Sequence, residues 1–163
     1  MPIKKFKMTN YILDGYDLKS LFETNIQAIS FKEDPKHHIP EYGSIMYSIW
    51  NKDEQFIYIG VAGTQTNGEK KPRSRIKAHR SGKRSGDQFC VYVHDYYVIP
   101  TLLDKGIYEP IRGALDQLTK EYIHNNFSYR FKLFEKGISS IQIKSLENQI
   151  KKGIFGKPFL NGT

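Results

Sequence analysis

The densest apolar pattern in the chain is a pair of runs, SIMYSIW over residues 44–50 and FIYIGV over 56–61, separated by the polar NKDEQ. Both are of strand length and rich in β-branched and aromatic residues, so together they predict an antiparallel hairpin. Upstream, residues 1–40 are polar and irregular, a stretch that reads as an N-terminal extension. One helix is expected there, within DLKSLFETNIQAI, where Leu18, Leu21 and Phe22 recur at helical spacing. KEDPKHHIPEYG is a loop punctuated by Pro35, Pro40 and Gly43.

Downstream of the hairpin, TQTNGEKKP is a loop, and Pro72 suits the first turn of a helix over 73–80. SGKRSGDQ breaks that helix. FCVYVHDYYVI, with its β-branched and aromatic residues, is expected to be a strand. ALDQLTKEYIHNN predicts a helix. SYRFKLFE predicts a strand on the alternation of Tyr129, Phe131 and Leu133, and SIQIKSLENQIKK a last helix that stops at Gly153. No low-complexity linker or repeat divides the sequence, so one domain is expected.

The chain has 163 residues, 39% of them hydrophobic and 13% aromatic, which suits a globular domain with a sizeable core. Its net charge of +8 and pI near 9.4 favour a polyanionic partner, nucleic acid or an anionic membrane surface. No apolar run reaches membrane-spanning length, and MPIKKFKMTN lacks the apolar centre of a signal peptide, so a cytoplasmic protein with no membrane partner is expected. A membrane-surface role fits poorly, because the basic residues are not matched to an exposed apolar helix face. Cys90 is the single cysteine, which leaves no internal disulfide and no cysteine-built zinc site.

Much of the charge is concentrated. Lys70, Lys71, Arg73, Arg75, Lys77, Arg80, Lys83 and Arg84 follow Glu69 with no further acid among them, a surface suited to phosphates. Within it Arg75 and His79 lie four residues apart on the expected helix and share a face. Such a pair could grip a phosphate oxygen and donate a hydrogen bond or shuttle a proton. On the last helix Glu147 falls between Ile143 and Ile150 at the edge of the apolar stripe. It could pair with Lys144 or Lys151, or act as a lone metal carboxylate. His37, His38, His94 and His124 show no metal-ligand spacing.

IMY at 45–47 and YIG at 58–60 resemble the paired motifs that name the GIY-YIG nuclease superfamily. Arg75 and His79 match the arginine and histidine of that family's catalytic helix. LENQIKKGIFGKPFLNG is similar to its closing segment, with a metal-binding glutamate on a helix and an asparagine beyond it. SGKRSGDQFCVYVHDYYVIP is similar to a stretch found in bacterial members. The resemblance covers residues 43–161, with the elements in the family's order. Ile45 stands where the family name has glycine, and the loop from Val61 to Ser74 is longer than in the shortest members. Arg73 is therefore the alternative to Arg75, but only Arg75 has a histidine four residues on.

The resemblance implies an α+β fold, a small antiparallel sheet of three core strands flanked by helices. It implies a metal-dependent endonuclease that hydrolyses phosphodiester bonds in DNA. A single Mg2+, or Mn2+, would sit at Glu147. Tyr47 would be the general base, Tyr58 a hydrogen-bond partner of nucleophile or phosphate, Arg75 the charge partner and His79 the orienting group, with Asn161 completing the set. Lys70, Lys71, Arg73, Lys77, Arg80, Lys83 and Arg84 would contact the nucleic acid. The competing expectations are a nuclease acting on RNA and a non-catalytic nucleic-acid binder that keeps the scaffold.

Overall fold

The computed structural model describes residues 10–64, 71–109 and 114–162. A two-stranded ribbon comes first, β1 (Ile12–Leu13) with β2 (Tyr16–Asp17), followed by the one-turn helix α1 (Lys19–Phe22) and the short β3 (Ile29–Ser30). The hairpin is β4 (Ser44–Asn51) and β5 (Phe56–Ala62), and α2 (Arg73–Ser81) follows it. Next come α3 (Gln88–Val93), a π-helical turn over His94–Val98, and α4 (Ile99–Asp104). The chain closes with α5 (Ala114–Asn126), β6 (Phe127–Phe134) and α6 (Ser140–Lys151).

The fold is α+β. The main sheet has the order β3-β6-β4-β5, every pair antiparallel. The three expected strands are thus joined by a fourth, β3, which comes from the N-terminal stretch. Seven of the eight β4 residues are buried, because β4 is central and covered on both faces. A strand buried on both faces reads as a continuous apolar run rather than an alternation.

The pleat divides the core in two. Ile45, Tyr47 and Ile49 face one side, among Phe31, Ile76, Phe89, Ile123 and Tyr129. Met46 and Trp50 face the other, among Leu18, Leu21, Phe22, Ile143, Leu146 and Ile150. Residues 10–40 therefore do not behave as a polar extension. Leu13, Leu18, Leu21 and Phe22 complete one core, Phe31 and Ile39 the other, and the expected helix shrinks to the four residues of α1.

The strand expected at FCVYVHDYYVI is helix. Asp87 caps its start by accepting from the backbone N–H groups of Phe89 (3.0 Å) and Cys90 (3.3 Å). Phe89, Cys90, Val93, His94 and Val98 are buried, the spacing of one helical face. Burial of that face overrides the strand preference of the residues themselves. The π turn ends where Pro100 enters α4 without an N–H to give.

At the free edge of the sheet, β5 is covered by the C-terminal segment. Phe159 N–H donates to the Phe56 carbonyl (3.0 Å) and Leu160 N–H to that of Ile57 (2.8 Å). This satisfies an edge that would otherwise be open to pairing. Among the described residues no helix is long and apolar enough to cross a membrane.

Candidate active site

Tyr47 and Tyr58 lie on neighbouring strands of one sheet face. Tyr47 is registered against Gly60 and Ile49 against Tyr58, which brings the two rings to 6.4 Å, nearly parallel. Gly60 is what lets Tyr47 lie flat across β5. A Cβ built there would come within 2.3 Å of the Tyr47 hydroxyl. The glycine of the YIG tripeptide thus has a local physical reason.

The Tyr47 hydroxyl meets His79 Nε2 at 2.7 Å, and the other ring nitrogen, Nδ1, lies 3.0 and 2.8 Å from the two carboxylate oxygens of Asp87. All three side chains are buried. Asp87 is acceptor-only when ionised, so Nδ1 carries the ring proton and Nε2 accepts from the phenol. The imidazole is walled by Tyr47, Tyr58 and Phe89, with ring centres at 5.5, 5.8 and 4.9 Å.

Burial dominates the proton affinities here. It lifts the Tyr47 phenol well above the usual tyrosine value, and the nearby Tyr58, Asp87 and Glu147 charges add to the rise. Tyr58 is raised for the same first reason. Burial also lowers the pKa of His79, against the opposing pull of Asp87. Burial would raise Asp87, but the hydrogen bonds from His79 and from the Cys90 and Phe89 N–H groups bring it below its usual value. At neutral pH the chain reads carboxylate, neutral imidazole, neutral phenol.

Tyr47 is only 1% exposed, so its hydroxyl lies beneath the surface. Tyr58 is half-buried, and Arg75 is exposed on α2 one turn before His79. The Arg75 charge is felt at Tyr47, Tyr58 and His79. Arg75 also lines an open pocket of about 280 Å³ between the end of β5 and α2, together with Gly63, Lys71 and Ser74. Arg73 points elsewhere, its Nε donating to the Ile39 carbonyl at 2.6 Å. Of the two arginines, Arg75 is the one beside the tyrosines.

Glu147 sits at the rim of the α6 apolar stripe with its side chain 13% exposed, and pairs with Lys151 at 3.0 Å. Its charge reaches both tyrosines. Among the described residues no three His, Cys, Asp or Glu side chains form a metal cage. A single carboxylate at the rim, already paired with Lys151, suits at most a hard ion that keeps most of its waters, such as Mg2+, and not a zinc site with three or four protein ligands. Asn161 uses both ends of its amide on β5, donating to the Ile59 carbonyl (2.6 Å) and accepting from the Ile59 N–H (3.2 Å). It fastens the residue between Tyr58 and Gly60.

The basic run splits. Arg80 bonds the carbonyls of Phe31 (2.7 Å) and Lys32 (3.0 Å), and Arg84 bonds Asp116 (2.7 Å). With Arg73 they tie α2 and its following loop to the rest of the fold. Lys71, Arg75, Lys77 and Lys83 are exposed, and Lys70 lies outside the described residues. Asp87 is the member of the site that sequence reading passed over. Its signal was a cap residue following Gly86, hidden because the next segment reads as strand. No protein-family model matches the chain, and no curated protein or solved structure matches it.

Proposed function

We propose that this protein is a metal-dependent endonuclease of GIY-YIG type that hydrolyses phosphodiester bonds in DNA. The observation that carries the reading is the buried chain Asp87–His79–Tyr47, closed by hydrogen bonds of 2.7 to 3.0 Å. A carboxylate-backed histidine on a tyrosine hydroxyl supports that reading, because it can relay a proton.

Arg75 and Tyr58 meet the phosphate at the surface, and Tyr47 works beneath them. The raised phenol pKa rules against a standing phenolate. Instead Tyr47 takes a proton from the attacking water as it passes its own to His79 Nε2, and Asp87 holds the imidazolium so formed. The water oxygen bonds to phosphorus while the bond to the leaving oxygen breaks. Arg75 neutralises charge on the non-bridging oxygens. Glu147 would hold the divalent ion, Mg2+ or Mn2+ in its place, which when bound polarises the phosphate and stabilises the departing 3′ oxygen.

The test is incubation with labelled duplex DNA, single-stranded DNA and RNA, each with Mg2+, Mn2+ or a chelator. The reading expects DNA cutting that needs the metal, and that Glu147→Ala abolishes while leaving DNA binding nearly intact. Cutting that survives the chelator or the substitution removes the metal assignment. Cutting of RNA alone moves the substrate. A second reading, a non-catalytic nucleic-acid binder on the same scaffold, draws on the burial of Tyr47 and expects binding without cleavage.

A further inference from the structure

An open cavity of about 430 Å³ is lined by Arg130, Lys52, Glu54, Asn25 and Gln27, among others. It lies on the sheet face opposite Tyr47. Arg130 is registered against Ser48 and so shares the face of Met46 and Trp50. The volume falls within the range of small-ligand sites.

Arg130 is only 5% exposed. Its Nε donates to the Ile26 carbonyl at 2.8 Å, and its guanidinium lies 5.2 Å from the centre of the Trp50 ring. Among the described residues it has no carboxylate within ion-pair distance, and its terminal nitrogens have no protein acceptor. Buried arginines are almost always paired. Burial accordingly draws the Arg130 pKa below its ordinary value. One of five N–H donors is spent, and the remaining four belong to a fork whose plane is already fixed by Ile26 and Trp50. A fork held ready in this way binds an oxyanion with little ordering cost.

The charges around the cavity select the anion. Arg130 and Lys52 are positive and Glu54 is negative, which leaves one net positive charge for a ligand with one negative charge. A phosphodiester fits that balance, and a doubly charged phosphate monoester meets Glu54 unfavourably. The exposed amides of Asn25 and Gln27 offer donors and acceptors together, as a base edge or sugar hydroxyl requires.

We infer that this cavity binds one nucleotide unit through its phosphodiester, with Arg130 gripping two phosphate oxygens and Lys52 adding charge. The unit could belong to a strand crossing this face or to a free cyclic nucleotide. The two sources share the same chemistry. The site is independent of the cleavage chemistry proposed above, since it lies on the other face of the sheet.

Trp50, the only tryptophan of the chain, reports on the site directly. Its emission is followed in chelator during titration with the dinucleotide TpT, with 3′,5′-cyclic AMP and with a short single-stranded oligothymidylate. A saturable change is expected. Arg130→Gln should weaken it at least about tenfold and Lys52→Ala about threefold, while Arg75→Ala leaves it unchanged. Glu54→Gln should tighten binding and admit a 5′-monophosphate. Lys52 and Glu54 are exposed, so those two variants decide the matter even where Arg130→Gln folds poorly.

Tighter binding of the oligothymidylate than of the dinucleotide identifies a strand, and preference for the cyclic nucleotide identifies a free ligand. Either supports the site. The absence of a saturable change at millimolar ligand overturns it. So does a response that is lost in Arg75→Ala or that survives in both Arg130→Gln and Lys52→Ala.

Discussion

Asp87 has two duties at one pair of oxygens. It caps α3 through the N–H groups of Phe89 and Cys90, and it holds the Nδ1 proton of His79. Asparagine caps a helix about as well as aspartate, but it lacks the charge that stabilises an imidazolium. Asp87→Asn should therefore lower the single-turnover cleavage rate on the order of a hundredfold, with only the smaller loss of melting temperature that follows from removing a carboxylate held below its usual pKa. A rate loss no larger than the fraction of unfolded protein explains would make Asp87 only a cap. His79 adds a dependence on pH. Its folded pKa is depressed, so the stability it contributes is present above the unfolded value of about 6.5. That stability is lost as pH falls from there through the folded pKa, because only the unfolded chain takes the proton readily. Asp87, also depressed, acts in the same direction at lower pH. Thermal melts between pH 7.5 and pH 5 should show this decline, and His79→Gln should flatten it above the carboxylate range. Cleavage should lose its acid limb at a pH below the ordinary histidine value, since a protonated Nε2 cannot accept from Tyr47.

Among the elements, β5 depends on one side chain from outside the sheet and on one close fit with its neighbour β4. Asn161 fastens its outer edge at Ile59, and the bare Cα of Gly60 gives room to Tyr47. Gly60→Ala forces the new methyl into the Tyr47 ring, and overpacking of this kind costs about 1–3 kcal/mol. Asn161→Ala leaves two backbone groups of β5 short of partners, at about 1–3 kcal/mol if water does not replace them. Urea or thermal unfolding measures both, and an unchanged midpoint for Gly60→Ala would show that Tyr47 rests elsewhere. The hairpin, α2, α5, β6 and α6 were legible because their patterns are long and their punctuation plain: Pro72 before α2, Gly153 after α6. The segment after Gly86 was not, since a helix buried on one face by Phe89, Cys90 and Val93 uses the same residue types as a strand. Nor was the role of Leu18, Phe22 and Phe31, because an isolated apolar residue in a polar stretch gives no hint of which core it completes. Tyr47, Tyr58, Arg75 and His79 were grouped by the resemblance of IMY, YIG and the Arg75–His79 pair to the GIY-YIG motifs, whereas Asp87 needed the three-dimensional turn after α2.

Across the whole molecule, the sheet separates a face that carries the tyrosine–histidine–aspartate chain from a face that carries Arg130 and Trp50. The positive charge is distributed unevenly over its uses. Arg73, Arg80 and Arg84 hold the fold together, while Lys77 and Lys83 are exposed on and just after α2. Changing Lys77 and Lys83 together to Ala should weaken DNA binding for every sequence and reduce its salt slope by about one unit per lost contact. Arg84→Ala should act instead on stability, and only by up to about 1 kcal/mol, because its pair with Asp116 is partly exposed. An unaltered salt slope in the lysine double variant would make those side chains a solvated face. The central claim is that the buried hydrogen-bond chain moves a proton during phosphodiester cleavage. Its most direct test is the single-turnover rate of Tyr47→Phe against wild type, on labelled DNA in saturating Mg2+, with thermal melts run on the same samples. Phenylalanine keeps the ring and its packing and removes only the hydroxyl that meets His79. The account predicts a rate lower by on the order of a hundredfold or more in a protein that remains folded. Wild-type protein that cuts no DNA, or a Tyr47→Phe variant that cuts as fast as wild type, would contradict it.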